Sequence, residues 1–269
     1  MEIRSARSDE LESISAYLAG ALHGEASRYR RFLDYTWLDP KPQLGIVLED
    51  GGKIRGFVGT IYSERTTGRY CNLTSIAVDE SHRRHTLKLF GMALAAKDVT
   101  YTCFSASEQV AKILEFFKFK QRPSERVLVG PLTESFHRAR VILSPDQSAL
   151  DDAHRVIARD HRSYDCGQLL IVRGNRRCFA VTVKRGHGLR VFADVLYASD
   201  PALLLNHVPQ VQLALLRRHR TLLLGIDRAW VATAPRLSLT YRGLRPVHLR
   251  SSTVTDVDLL YSELVPMYG

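Results

Sequence analysis

The chain has 269 residues, 45% of them hydrophobic and 25% charged, a composition that is typical of a globular protein and excludes a disordered or collagen-like chain. With 38 Lys and Arg against 28 Asp and Glu, the net charge is +10, which favours an anionic partner: a nucleic acid, an acidic carrier protein or a phosphorylated small molecule. The 4 cysteines lack CxxC spacing, the apolar stretches are shorter than the ~20 residues of a membrane helix, and the first residues lack an apolar signal core. We therefore expect reduced thiols, no metal, no membrane contact and a cytoplasmic location.

The first half of the chain predicts strands and helices in mixed order. Ser8, followed by apolar residues at helical spacing, predicts a capped helix, and the turn at Asp50 and Gly51 between two apolar runs predicts a hairpin. In chain order the predicted elements are a strand at 3–7, helices from residue 8 and at 25–35, a hairpin of strands at 45–49 and 54–62, a strand at 71–78, a helix at 87–96, a strand at 100–104, a helix at 107–117 and a strand at 126–129. This order predicts an α/β fold with a mixed α+β sheet, which ends at a boundary at Gly130-Pro131.

The second half repeats this order of elements without a residue-level repeat. The predicted elements are a helix at 149–161, a hairpin of strands at 168–172 and 178–185, a strand at 190–197, a helix at 201–218 that begins with Pro201, a strand at 222–226 or 229–232, and a closing strand at 254–264. The sequence therefore predicts two α/β units of similar size.

Residues 71–95 contain the most informative pattern in the chain. A half-apolar strand ends at Val78, and a polar, basic turn at 79–84 leads directly into a helix. The first turn of a helix has free backbone N–H groups and the positive end of the helix dipole. Such a turn is suited to bind phosphate or pyrophosphate, and the alternative is a solvated basic turn.

This pattern resembles the central motif of the GCN5-related N-acetyltransferase (GNAT) superfamily, which has a strand ending in Val, a short turn and then Arg/Gln-x-x-Gly-x-Gly/Ala. Arg83 stands at the Arg/Gln position, whereas Thr86 and Lys88 stand where the family prefers glycine. The family's next motif, Asn-x-x-Ala-x-x-Leu-Tyr-x-x-x-Gly-Phe, falls on Ser107, Val110, Ile113, Leu114, Lys118 and Phe119. The resemblance covers about residues 1–129, and the second half resembles a degenerate copy.

The resemblance implies a GNAT-like fold in two tandem units, a domain at 1–130 with the acyl-donor loop and a degenerate domain at 131–269. It implies acetyl-CoA or another acyl-CoA as co-substrate, a small-molecule amine as acceptor, and a gap between the strands at 72–78 and 100–104 that holds the thioester. The implied donor-binding residues are Ile76, Ala77, Val78, Arg83, Arg84, His85, Thr86, Leu87, Lys88 and Leu89.

The implied catalytic candidates near this gap are Asn72, Thr74, Ser75, Tyr101 and Ser107, with Cys103 and Ser105 beside them. In the family a backbone N–H on the fourth strand, here near Ser75 or Ile76, polarises the thioester carbonyl. The loop that contains Tyr35 and Trp37 stands where the family builds its acceptor pocket. Each residue also has a structural alternative: bulge contacts for the Asn and Thr side chains, packing for the aromatic ones, and a buried apolar role for Cys103.

Departures from the family pattern leave other functions open. Both loop glycines are replaced, and Leu114, which cannot donate a proton, stands at the position of the family's tyrosine acid. One alternative is a non-catalytic GNAT-fold protein for binding or assembly, and another is an acyltransferase with an acidic acyl-carrier protein as donor. Residues 131–269 contain 19 Lys and Arg against 12 Asp and Glu, which raises the alternative of nucleic-acid binding through this half. It is the least favoured reading, because the basic residues are scattered and form no known DNA-binding motif.

Overall fold

The computed structural model describes residues 1–130, 139–187, 190–233, 235, 237–242, 245–253 and 257–268, and it divides into two compact units. Unit 1 comprises Met1–Pro123, Arg245–Val257 and Tyr261–Met267. Unit 2 comprises Ser124–Leu244, Asp258–Leu260 and Tyr268–Gly269.

The described part of the chain forms fourteen strands and eight α-helices. The strands are β1 (Glu2–Ser5), β2 (Gly45–Asp50), β3 (Lys53–Arg65), β4 (Gly68–Val78), β5 (Val99–Cys103), β6 (Lys120–Arg122), β7 (Arg126–Val129), β8 (Arg140–Leu143), β9 (Gly167–Arg173), β10 (Arg176–His187), β11 (Arg190–Ala198), β12 (Leu224–Asp227), β13 (Ser238–Tyr241) and β14 (Val247–Arg250). The helices are α1 (Leu11–Leu22), α2 (Ala26–Leu33), α3 (Thr86–Ala93), α4 (Glu108–Phe116), α5 (Asp152–Asp160), α6 (Pro201–Leu205), α7 (Val208–His219) and α8 (Leu264–Tyr268).

Unit 1 is built on a mixed sheet of seven strands in the order β1-β2-β3-β4-β5-β14-β6. Within it β4 and β5 are parallel, and the other neighbouring pairs are antiparallel. Because side chains alternate along a strand, each strand contributes to both faces of the sheet. Cys71 and Leu73 of β4 pack with α3 and α4, whereas Phe57 of β3 and Ala77 of β4 pack with α1 and α2.

Unit 2 contains the second sheet, also of seven strands, in the order β13-β7-β12-β11-β10-β9-β8. Here β11 and β12 are the parallel pair, joined at Ala193↔Leu224 and Asp194↔Gly225. The core of this unit lies between the sheet and helices α6 and α7, where Leu204 and Leu215 pack with Val195 and other apolar residues. The two mixed sheets confirm the predicted α/β fold class with two units.

Two strands change the predicted division at residues 1–130 and 131–269. Strand β7 was expected to close the first unit, but it pairs with β12 and β13 in the second sheet. Strand β14 comes from the second half of the chain, yet it lies between β5 and β6 in the first sheet. Each sheet therefore contains one strand from beyond the predicted boundary. The sequence did not indicate this exchange, because pairing between distant strands leaves no local sequence signal.

The structure also corrects three predicted elements of the second half. The helix expected at 201–218 is divided into α6 and α7, because Pro209 lacks a backbone N–H and is suited to the first turn of a new helix, which begins at Val208. Of the two alternative strands, the structure contains the one near 222–226, as β12. The alternative at 229–232 does not form, because residues 228–230 adopt a 3-10 turn. Of the closing strand expected at 254–264, residues 254–256 lie outside the described residues, 257–263 are not a strand, and Leu264 begins α8.

A buried network of charged side chains joins four strands of unit 2. Arg126 of β7 donates to Asp194 of β11 and to Asp227 of β12, each over 2.8 Å. Arg185 of β10 also lies 3.1 Å from Asp194. Since Arg126 and Asp194 are only 1% and 0% exposed, each charge depends on its partner for the stabilisation that water would otherwise supply.

Replacing Arg126 by Met should therefore lower the free energy of unfolding by about 3–5 kcal/mol, because it removes one partner of a buried ion pair. Arg176→Met is the matched control, since Arg176 is largely exposed in its ion pair with Asp200 and should cost about 1 kcal/mol or less. Urea unfolding followed by circular dichroism measures both values. Equal losses in the two variants would contradict the prediction.

Candidate active site

The candidate site begins where the parallel strands β4 and β5 stop pairing. Their register runs from Arg69↔Val99 to Asn72↔Thr102. Strand β5 ends one residue later, whereas β4 continues to Val78 alongside β3. The carboxyl ends of the two strands therefore share no ladder, and this is the place where the sequence predicted a gap.

A β-bulge follows in β4. The register with β3 passes from Gly59↔Thr74 to Phe57↔Ala77, so Ser75 and Ile76 both stand opposite one residue of β3. Ser75 has a φ of 51°, in the left-handed region. A bulge takes a residue out of the regular ladder and can aim its backbone N–H elsewhere. The predicted carbonyl-polarising N–H near Ser75 or Ile76 thus falls on this bulge.

Gly59 of β3 permits this local geometry. A Cβ atom at this position would lie 2.8 Å from the carbonyl oxygen of Thr74, closer than a real contact allows. Glycine, which has no Cβ atom, therefore stands where β3 passes close to the bulge of β4.

Beyond β4, the chain turns into helix α3. Asp79 accepts a hydrogen bond from the Tyr17 hydroxyl and pairs with Arg55. Residues 80–85 form a 3-10 helix, and α3 continues directly from it at Thr86. The negative φ of Thr86, −57°, is ordinary for a helix, so the loss of the family's glycine at this position creates no backbone strain.

The predicted donor-binding residues differ in their exposure to solvent. Arg83, Arg84, Leu87 and Lys88 are exposed, whereas His85 and Thr86 are half-buried. Thr86 donates its hydroxyl to the Arg83 carbonyl oxygen over 2.7 Å, and Arg84 donates to the His85 ring over 3.1 Å. Leu89 is fully buried in the core, so its side chain holds α3 against the sheet. Ile76 and Val78 are half-buried and Ala77 is buried.

Buried polar side chains meet at the end of the β4–β5 ladder. The Asn72 side-chain amide donates to Glu263 over 2.5 Å, and its oxygen accepts from the Thr102 hydroxyl over 3.1 Å. Thr74 and Ser75 are also buried, with their hydroxyl oxygens 3.5 Å apart. The sequence predicted Asn72 and Thr74 here but missed Glu263, which comes from a distant segment of unit 1. An acidic residue inside the apolar run 259–267 was the available signal.

Burial also determines the ionisation of two neighbouring groups. Burial, followed by the negative charge of Glu263, raises the pKa of the Cys103 thiol to about 12. Burial lowers the pKa of His248, which stands opposite Cys103 in the register of β14 and β5. At neutral pH the thiol is therefore protonated and the imidazole neutral, which agrees with the buried apolar role expected of Cys103.

Two predicted catalytic residues make structural contacts. The Tyr101 hydroxyl donates to the Ala96 carbonyl oxygen over 3.2 Å, and burial raises the pKa of Tyr101 to about 12. Its ring packs in the core beneath α3 and α4. Ser107 caps helix α4, because its hydroxyl oxygen accepts from the Val110 N–H over 3.3 Å. Packing and capping describe the contacts of these two side chains, and a catalytic role for either stays a prediction.

The two predicted acceptor-binding aromatics hold their loop against the sheet. Tyr35 is fully buried, and its ring stacks on Trp37 with 5.0 Å between centroids. Trp37 donates to the Tyr62 carbonyl oxygen over 2.9 Å and places its ring 5.5 Å from that of Tyr261, edge to face. The packing alternative describes these contacts, and an acceptor-binding role stays a prediction.

The described residues contain neither a cluster suited to a metal ion nor a helix suited to a membrane. Within them no group of three or more His, Cys, Asp and Glu side chains is placed to hold a metal ion. No helix in the same part of the chain is long and apolar enough to cross a membrane.

Known structures share this fold. No family model and no curated protein matches the sequence. A solved structure from Pyrococcus horikoshii aligns over 100% of this chain and 95% of its own, with 16% identity and a TM-score of 0.60. A GCN5-related N-acetyltransferase from Anabaena variabilis aligns over 93% and 72%, with 11% identity and a TM-score of 0.57. A tandem GNAT protein from the clavulanic acid biosynthesis pathway aligns over 95% and 100%, with 13% identity and a TM-score of 0.51. The chain therefore has the GNAT fold in tandem form, and the resemblance seen in the sequence is confirmed at the level of fold.

The positive φ of Ser75 gives a test of the bulge. Ser75→Val should lower the free energy of unfolding by about 1–3 kcal/mol, because a β-branched side chain is strained in the left-handed region. Ser75→Gly should lower it less, since glycine adopts this conformation without a steric penalty. Urea unfolding compares the two variants. A Gly variant that is less stable than the Val variant would contradict the assigned backbone conformation.

Proposed function

We propose that the chain is a GNAT-type N-acyltransferase, which transfers an acyl group, acetyl in the simplest case, from a CoA thioester to the amine of a small acceptor. The observation that carries this proposal is the end of the β4–β5 ladder at Asn72↔Thr102, followed by the bulge at Ser75. Beyond this pair β4 has no ladder with β5, and in this proposal an extended donor chain lies beside that part of β4. The bulge supplies a backbone N–H outside the ladder in the same place.

The turn before α3 supports phosphate binding at the other end of the donor. The start of a helix offers free N–H groups and a positive dipole end, both of which favour phosphate. Arg83, Arg84 and Lys88 are exposed there and add positive charge. The replaced glycines are compatible with this role, because the backbone at Thr86 is helical.

The chemistry requires little from the protein beyond orientation and charge stabilisation. The donor supplies an activated acyl group when bound. A backbone N–H at the bulge stabilises the negative charge that develops on the carbonyl oxygen during attack, a contribution that is large where water is excluded. Leu114, at the position of the family's acid, is fully buried and has no proton to give. Water then protonates the departing sulfur.

Two alternatives to this proposal are open: an acyltransferase with a different donor, and a protein of the same fold without catalytic activity. An acidic acyl-carrier protein could present the thioester on its own pantetheine arm, and the basic turn suits its negative surface. A non-catalytic protein of the same fold is the second candidate, favoured by Leu114. Donor binding and turnover separate these cases.

The double variant Arg83→Ala/Arg84→Ala should raise the Kd for acetyl-CoA at least about tenfold, because it removes two charges that face the donor phosphates. Isothermal titration calorimetry measures the affinity. Acetyl-pantetheine, which lacks the nucleotide phosphates, should bind the variant and the wild type equally.

The matched control is Arg173→Ala/Arg177→Ala, which makes the same change in net charge on an exposed hairpin of unit 2. It should leave the Kd for acetyl-CoA unchanged. If the wild-type protein binds neither acetyl-CoA nor acetyl-pantetheine, the proposed function is wrong. If it binds the donor but transfers its acyl group to no amine, the non-catalytic alternative is supported.

Donor stoichiometry should be one per chain. In unit 2 the last residue of the parallel pair, Asp194, is engaged by Arg126 and Arg185 in the buried network. A neutral thioester would have to displace those ion pairs, which is unfavourable. Calorimetry with acetyl-CoA should therefore give one site, and two sites of similar affinity would show that unit 2 also binds the donor.

A further inference from the structure

Glu263 is a buried acidic residue that the sequence motifs did not identify. It is 2% exposed, and its side chain lies against Asn72, the last residue of the β4–β5 ladder. The segment that carries it, Tyr261–Met267, belongs to unit 1 although it lies near the far end of the sequence. A carboxyl group is thus held at the strand ends where the thioester is proposed to lie.

The hydrogen bonds define how this carboxyl group is held. The Thr102 hydroxyl donates to the Asn72 side-chain oxygen over 3.1 Å, which leaves the amide N–H groups of Asn72 facing Glu263. Glu263 therefore accepts a hydrogen bond from Asn72. Hydrogen bonds to a carboxylate oxygen favour its charged form, whereas burial opposes it.

Titratable and charged groups lie near Cys103, on whose thiol Glu263 acts through its charge, and near Tyr261, in the same segment as Glu263. Cys103 on β5 carries a protonated thiol at neutral pH, and His248 on β14 a neutral imidazole. Arg245, which precedes β14, acts on Cys103 through its charge. Arg65 of β3 lies over the ring of Tyr261, with 5.1 Å to the centroid. A carboxylate at the strand ends attracts a cationic amine.

We propose that Glu263 is the proton acceptor for the amine substrate, positioned by Asn72 and Thr102. This inference rests on the proposed function. The carboxylate takes a proton from the substrate ammonium, which frees the nitrogen lone pair. The nitrogen forms the C–N bond with the acyl carbon, the C–S bond breaks, and the sulfur keeps its electron pair. The remaining extra proton on nitrogen passes through water to the sulfur, and Glu263 returns its proton to solvent.

Glu263→Gln is the informative variant, because glutamine keeps an oxygen that accepts the Asn72 hydrogen bond but cannot accept a proton. We expect E263Q to bind acetyl-CoA with the wild-type Kd and to lose about 10²–10⁴-fold in kcat with glucosamine, lysine or tyramine as acceptor. Glu115→Gln makes the same chemical change on the exposed side of α4 and should keep the wild-type kcat.

The pH profile separates proton transfer from anchoring of the segment. In the wild type, kcat should rise with pH as Glu263 loses its proton and then level off, and this step should be missing in E263Q. A merely anchoring Glu263 would affect stability or KM and leave the profile unchanged. An E263Q variant with wild-type kcat and pH profile overturns the assignment.

A measurement on the free protein does not depend on the choice of amine. Carbon-13 NMR of protein labelled at the glutamate carboxyl groups should show one carboxyl resonance that is missing from E263Q. At neutral pH its chemical shift should be that of an ionised carboxylate. A protonated Glu263 throughout the neutral and mildly alkaline range overturns the assignment even if no tested amine reacts. Failure of the wild type to bind acetyl-CoA would instead overturn the proposed function.

Discussion

Parallel strands β4 and β5 share backbone hydrogen bonds only as far as Asn72 and Thr102, and the features of the candidate site follow from this limit. Beyond it β4 is supported by β3 alone, and the bulge at Ser75 occurs on this stretch. Asn72 stands at the last shared position, where its side chain can join Thr102 to Glu263. A longer ladder would fill the space between the strand ends with paired backbone.

The second unit has the same arrangement with different chemistry. Its parallel pair ends at Asp194↔Gly225, and a shift in register follows in β11 near Leu196. In unit 1 the equivalent place holds an amide, a hydroxyl and a carboxyl group, whereas in unit 2 it holds ion pairs between Asp194 and two arginines. The fold is thus repeated, while the residues at the strand ends differ in chemistry between the two units.

Local patterns in the sequence predicted much of the fold and part of the site. The hairpin at Asp50 and Gly51 and the turn before α3 were predictable because turn residues and helix starts depend on neighbouring positions. The exchange of β7 and β14 was not, since strand pairing across roughly 100 positions or more leaves no periodic signal. Glu263 was missed for the same reason, as it meets Asn72 from 191 positions away.

The position of β14 has a consequence for how the chain acquires its structure during synthesis. When the residues up to Gly130 have left the ribosome, β5 and β6 have both been made, but the strand that lies between them has not. The first sheet is completed only after Arg250 has emerged, so its closure involves contacts of long sequence separation and is slow. Until then β5 presents an open edge, which a nascent chain must keep from pairing with other strands.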